Sequence, residues 1–203
     1  MSELKATVLV CTLNKSPKQS SSELLGTELL DEMKQYGVSG EVIRVADHVV
    51  RFGVEKDMGD GDAWPTIRES ILRSDILILS TPIWMGQPSA VTKMVLERLD
   101  AELAEKKEDG TPTMYGKVAA VAIVGNEDGA HHVSAEVFQS LNDVGFTIPA
   151  GGPTYWVGEA MGSVDYQDLK EKPEKTVNTT KILAANASHL ARLLKADGYK
   201  VSQ

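Results

Sequence analysis

Continuous apolar runs alternate along this chain with segments of helical period, and that alternation favours an α/β protein. Ala6–Cys11 (ATVLVC) is apolar throughout, as a central strand covered on both faces requires. After a polar turn, Ser22–Gln35 reads as a helix with Leu25, Leu29 and Met33 on one face and Gly37 as its stop. Glu41–Ala46 (EVIRVA) alternates and suits a strand nearer the sheet edge. Val49–Asp62 has no regular period; Asp62 is a candidate cap for a helix over Pro65–Arg73. Asp75–Ser80 (DILILS) is the third strand and Pro88–Leu103 the helix that follows it. Glu105–Thr113, rich in Lys and Glu, reads as an exposed excursion. Lys117–Val124 (KVAAVAIV) is a further central strand, followed by a helix with Val133, Val137 and Leu141 on one stripe. Phe146–Pro149 is a short fifth strand and Ala150–Ser163 a loop rich in glycine. The last helix spans Glu174–Ala196 and docks through Leu183, Ala187, Leu190, Ala191 and Leu194.

Five such βα units predict a three-layer sandwich around a parallel sheet, because strand–helix–strand crossovers are right-handed and cover both faces. At 203 residues the expectation is one domain spanning 1–203. In such folds ligands bind beyond the carboxyl ends of the strands.

Composition removes several classes of function. A formal charge of −8 and a pI near 5.0 argue against nucleic acid, which demands a basic footprint. The single cysteine, Cys11, excludes an internal disulfide framework and any multi-cysteine metal site, and its apolar neighbours make it a buried, unreactive thiol. MSELKATVLVC lacks the pattern of a signal peptide, and no apolar run approaches the roughly twenty residues of a membrane span. No stable membrane insertion and a cytoplasmic location are therefore expected. The Asp57–Asp62 region does not make a calcium loop, since Arg68 stands where a bidentate glutamate belongs.

Three loops at the carboxyl ends of the strongest strands carry the candidate chemistry. In Thr12–Ser22 (TLNKSPKQSSS), the hydroxyls of Thr12, Ser20, Ser21 and Ser22, the Asn14 amide and a helix start offer an anion site. Neither the glycine-rich dinucleotide pattern nor the nucleotide-triphosphate loop is present, which points to a monophosphate. In Thr81–Ser89 (TPIWMGQPS), Pro82 and Pro88 restrict the ends and Gly86 permits close backbone approach. Backbone groups from Ile83 to Gly86 would face the edge of a planar ring, with Trp84 or Met85 against it; Trp84 suits a core or subunit interface about equally. Gly125–His132 (GNEDGAHH) forms a tight turn whose N–H groups are free for carbonyl oxygens, with Glu127 and Asp128 suited to ligand or to the next helix start. Adjacent His131 and His132 point in different directions and lack a third partner, so no metal site is expected, and a pocket-lining role is the better reading.

TLNKSPKQSSS, TPIWMGQPSAVTKMVLER and GNEDGAHH together resemble the NAD(P)H-dependent FMN reductase family, across about Ala6–Pro149. The middle motif is the most specific; in the first, Thr12, Asn14 and Lys15 stand where the family often has serine, arginine and lysine. The resemblance implies a flavodoxin-like fold with a five-stranded parallel sheet in the order 2-1-3-4-5. It implies that Thr12, Asn14, Ser20, Ser21 and Ser22 surround the FMN phosphate and that Pro82, Ile83, Trp84, Met85 and Gly86 line the ring. Gly125, Asn126, Glu127 and Gly129 would complete the ring pocket. It further implies a homodimer or homotetramer, in which Tyr155 and Trp156 shape a partner's pocket or the substrate entrance.

The function so implied is an FMN-dependent oxidoreductase. Electrons would pass from NADPH or NADH through FMN to a small-molecule acceptor, such as a quinone or free flavin. The flavin carries the electron chemistry, so no side chain is assigned as catalytic. One alternative is a flavin-binding electron-transfer module without direct NAD(P)H oxidation. Another is a hydrolase or phosphate-binding regulatory domain, though the serine-hydrolase motif G-x-S-x-G is absent.

Overall fold

The computed structural model describes residues 3–200, so Met1 and Ser2 of the amino-terminal stretch and residues 201–203 lie outside it. Five strands run parallel: β1 (Leu4–Val10), β2 (Val38–Arg44), β3 (Ile76–Trp84), β5 (Val118–Gly125) and β6 (Pro153–Val157). Their order is β2-β1-β3-β5-β6, which is the expected 2-1-3-4-5 order of a flavodoxin-like sheet. A two-residue strand, β4 (Gln87–Pro88), folds back antiparallel on the end of β3.

Both faces are covered. On one, α2 (Trp64–Arg73), α3 (Ala90–Leu99) and α4 (Ala130–Asp143) bury Trp64, Ile67, Val95, Val133 and Val137 against Leu9, Leu79, Val121 and Ile123. On the other, α1 (Ser21–Lys34) and α5 (Glu174–Ala196) bury Leu29, Met33, Leu183 and Ala187 against Val8, Ile78 and Ala120. The small side chains on α5 let it lie close to the sheet. Gly26 serves α1 the same way: a Cβ there would stand 2.9 Å from Ser80 Cβ and 3.0 Å from Val8 Cγ1. Double coverage is the reason β1, β3 and β5 are buried on both faces along most of their length. Among the described residues, no helix is long and apolar enough to cross a membrane.

Four expectations need correction. The fifth strand is Pro153–Val157, inside the segment expected to be a loop, whereas Phe146–Pro149 contributes only an isolated bridge between Thr147 and Val118. Phe146 is apolar because it plugs the core, with 1% of its surface exposed. The helix expected over Pro88–Leu103 is α3, which starts after the Ser89 cap and passes into a 3-10 turn over Asp100–Ala104. Asp62 accepts the Trp64 N–H at 3.2 Å, but the cap position is Ala63, and the Asp62 side chain is fully buried against Arg98. Finally, the third strand, expected to end at Ser80, runs on through Trp84, so the middle loop is the turn of a hairpin.

Candidate functional site

The ends of β1, β3 and β5 open into one cleft of about 330 Å³, within the ordinary range of about 300–1,000 Å³ for small-molecule sites. Of the residues expected there, Thr12, Asn14, Ser20, Ser21, Ser22, Pro82, Ile83, Trp84, Gly125, Asn126 and Glu127 line it. Met85, Gly86 and Gly129 stand beside the lining. His131 and His132 do not line it either: His131 Nε2 lies 3.2 Å from the Tyr155 hydroxyl, and His132 Nε2 lies 3.0 Å from Gln87 Oε1.

One end of the cleft is built for an anion. Ser20 caps α1, its Oγ accepting the Glu23 N–H at 3.2 Å, and its hydroxyl lies 3.0 Å from that of Ser22. The Leu24 N–H goes to Ser20 O, while the N–H groups of Ser21 and Ser22 meet no acceptor among the described residues. Free N–H groups at a helix start attract negative charge. Lys18 also lines this end, its Nζ donating to Asn14 Oδ1 at 3.3 Å. The loop is pinned from outside: Ser16 donates its N–H and its hydroxyl to Asp47, both at 2.7 Å, and these bonds hold the Asp47 carboxyl below the usual range. Arg44, buried, donates to Lys18 O at 2.7 Å and pairs with Glu23. Beneath it, Cys11 is buried, and desolvation pushes its thiol up to about 12, so no thiolate is available.

The other end is acidic and closely packed. Glu127 accepts the N–H of Met85 through Oε1 and that of Gly86 through Oε2, each at 3.0 Å. Two donors expected to face a ligand are therefore spent on a carboxylate of the next loop. Met85 takes a positive φ of 54° and Gly86 one of 74°. Trp84, 53% exposed, stands at the mouth.

Of a fourth wall the sequence pointed only to Trp156, as part of a partner's pocket or the substrate entrance. Trp156, Asp165, Tyr166 and Gln167 line the cleft, as do Leu13, Lys18, Gln19 and Val124. The segment after β6 is tied across the site: Gly158 N–H to Gly125 O at 2.8 Å, Met161 N–H to Asn126 O at 3.0 Å, and Asn126 Nδ2 to Asp165 Oδ1 at 3.0 Å. Gln167 N–H then reaches Ser21 Oγ at 3.2 Å. Tyr166 is buried beside Trp156, and its hydroxyl donates to Glu28 at 2.6 Å; burial and that carboxylate raise its pKa. Gln19 was legible as a neighbour of the serines in the same polar loop. Nothing local marked Asp165–Gln167.

The chain matches the family described as NADPH-dependent FMN reductase over residues 5–162, and it belongs to that family of flavin-dependent oxidoreductases. It is 32% identical over 208 residues to the 8-demethyl-8-aminoriboflavin-5'-phosphate synthase of Streptomyces davaonensis, covering 97% of this chain and 80% of that protein. It is 36% identical to a Mycobacterium bovis protein named divalent metal cation transporter MntH, covering 95% of this chain but 29% of that one. The chain thus spans under a third of that relative's length. Among solved structures, RosB with the bound intermediate 8-demethyl-8-formylriboflavin-5'-phosphate superposes with a TM-score of 0.87 at 32% identity, covering 97% of this chain and 82% of that one.

Proposed function

We propose that the cleft binds FMN and that the chain, through it, passes electrons from NADPH or NADH to a small-molecule acceptor such as a quinone or free flavin. The observation that carries this reading is the division of charge along one cleft. The unclaimed N–H groups of Ser21 and Ser22, the serine hydroxyls and Lys18 favour a phosphate at one end. Glu127 lines the cleft beside the β3–β4 hairpin and disfavours one there. A planar, phosphate-tailed ligand then has one orientation. Thr12, Asn14, Ser20, Ser21 and Ser22 would hold the phosphate, and Pro82, Ile83, Trp84, Gly125, Asn126 and Glu127 would line the ring. Met85, Gly86 and Gly129 would fix the shape of the ring end.

When bound, FMN supplies reversible electron transfer between the nicotinamide and the acceptor. The chain's own groups bind and orient. Ser21 accepts the Gln167 N–H, which leaves its hydroxyl proton for the phosphate. Trp84 offers an apolar surface at the mouth, and the apolar floor from Ile83 and Val124 keeps water from the ring. The same reading takes 1–203 as one domain, assembled as a homodimer or homotetramer in the cytoplasm.

A second reading makes a flavin phosphate the molecule acted upon. Its support is the 32% identity, over almost the whole chain, to a synthase named for such a product. One experiment separates the two. FMN is added to the purified protein and the visible spectrum followed while NADPH or NADH is supplied anaerobically, then with a quinone. Bleaching, recovery on adding quinone, and a recovered flavin of unchanged mass are the expected results. A flavin of altered mass would favour the second reading, and failure to take up FMN would overturn both. Binding without bleaching would leave only an electron-transfer module served by another donor.

A further inference from the structure

Glu127 is held more tightly than a cleft-lining carboxylate needs to be. Its two oxygens accept the N–H groups of Met85 and Gly86, both at 3.0 Å, which joins the β3–β4 hairpin to the turn after β5. The hairpin is set for this contact. Met85 adopts φ 54°, a left-handed conformation that disfavours any residue with a Cβ, and Gly86 adopts φ 74°. Gly129 presses against Gly86 from the other side, leaving no room for a Cβ on Gly129. A carboxylate with both oxygens so engaged swings out only by breaking two hydrogen bonds at once. Its negative charge is a fixed part of the cleft wall. Asp165 adds a second carboxylate to the cleft wall, tied to Asn126, while Lys18 lies beside the helix start.

We propose that Glu127 is a positioning residue that lowers the reduction potential of FMN bound in this cleft. The proposal rests on the FMN reading above. Two-electron reduction of FMN with uptake of one proton leaves a net negative charge on the ring system. A fixed carboxylate at that end of the cleft repels the added charge. The same carboxylate consumes two backbone donors that would otherwise stabilise it. Both effects weaken binding of reduced FMN relative to oxidised FMN, so both push the potential down. Glu127 touches the hairpin and lines the cleft; it gives and takes no electron or proton in this role.

The test is the midpoint potential of FMN bound to the unsubstituted protein and to Glu127→Gln and Glu127→Asp, equilibrated anaerobically against a reference dye with dithionite as reductant. Oxidised-FMN affinity is measured separately by quenching of flavin fluorescence. Removing a unit charge near a partly screened site is worth on the order of tenfold in relative affinity. Glu127→Gln is therefore expected to bind reduced FMN about tenfold more tightly relative to oxidised FMN, a rise of about 30 mV for a two-electron couple. Glu127→Asp keeps the charge with a shorter reach, and its potential is expected to return most of the way to that of the parent. If Glu127→Gln weakens oxidised FMN but leaves the potential in place, the carboxylate only braces the loop and the proposal is overturned. A downward shift overturns it too. Should the unsubstituted protein fail to bind FMN, the cofactor reading itself falls, an outcome distinct from FMN that binds with an unmoved potential.

Discussion

Arg98→Met is expected to lower the free energy of unfolding by about 3–5 kcal/mol, the range for breaking a buried ion pair from one side. Arg98 and Asp62 have fully buried side chains, with Nη1 2.8 Å from Asp62 Oδ2. The guanidinium also donates to Arg51 O at 2.8 Å and to Glu55 O at 2.8 and 3.1 Å, and lies over the Trp64 ring. Methionine matches the stem but leaves two carbonyls and a carboxylate without their donor. The carboxylate in turn accepts N–H groups from Met58, Arg51 and Trp64, so one pair organises the whole Val49–Asp62 loop, which has no regular structure to hold itself. Urea unfolding at pH 7 checks the loss. A double variant, Arg98→Met with Asp62→Leu, should lose less than the sum of the two single changes, because each single change strands the other partner. A midpoint within 0.5 kcal/mol of the parent, about the scatter of an ordinary surface substitution, would show that the pair is not holding the loop.

The pair also sets an acid limb. Burial by itself would raise the Asp62 pKa, but the hydrogen bonds from Met58, Arg51, Arg98 and Trp64 outweigh it and hold the group at about 2, below its ordinary 3.8. A depressed carboxylate contributes stability that is fully present above its unfolded pKa. That contribution is lost as the pH falls from about 3.8 through 2.

Asp62 shows why part of this structure was hidden in the sequence. An aspartate shortly before a helix reads as a cap, and its true partner stands 36 positions away on α3. Where one rule dominates, the chain was legible: β1, β3 and β5 are mostly apolar because both faces of the sheet are covered, and that pattern marked the strands and the loops at their ends, while their order came from the family resemblance. The last strand was misplaced because both FTIP and PTYWV suit a strand. The glycines of Ala150–Ser163 made that segment read as a loop, although proline is tolerated at the first residue of a strand. Alternate burial of Thr154 and Trp156 identifies the true strand only once the sheet is seen.

The candidate site divides the same way. Thr12–Ser22, Pro82–Trp84 and Gly125–Glu127 were legible because each directly follows a strand that could be recognised. The Asp165–Gln167 wall is held by Asn126, 39 positions from Asp165, and by Ser21, 146 positions from Gln167. No local pattern encodes such ties. Glu127 was expected to serve a ligand or the start of α4, and its bonds to Met85 and Gly86 depend on a hairpin conformation with two consecutive positive φ values.

That hairpin conformation makes Gly129 a sensitive position beside the cleft. A Cβ at position 129 would lie 2.8 Å from both Gly86 Cα and Gly86 O, backbone atoms that cannot rotate away, and the backbone there has φ 135°, which side chains rarely adopt. Strain and overpacking together put the expected cost of Gly129→Ala at about 2–4 kcal/mol. Gly86→Ala is the informative contrast. Its nearest neighbour would be Asp128 O at 3.9 Å, an ordinary contact, so only the left-handed φ of 74° opposes it, by about 1–2 kcal/mol. The two changes also differ in what they do to the cleft. Alanine at 129 must push the hairpin off the turn after β5 and stretch the Glu127 bonds, whereas alanine at 86 leaves that spacing alone. FMN affinity is expected to fall about tenfold or more in Gly129→Ala, the equivalent of about 1.4 kcal/mol, and by much less in Gly86→Ala. Denaturant midpoints and FMN titration of both variants check the ranking. Equal losses in the two would mean that the close backbone contact between the loops does not shape the ring end.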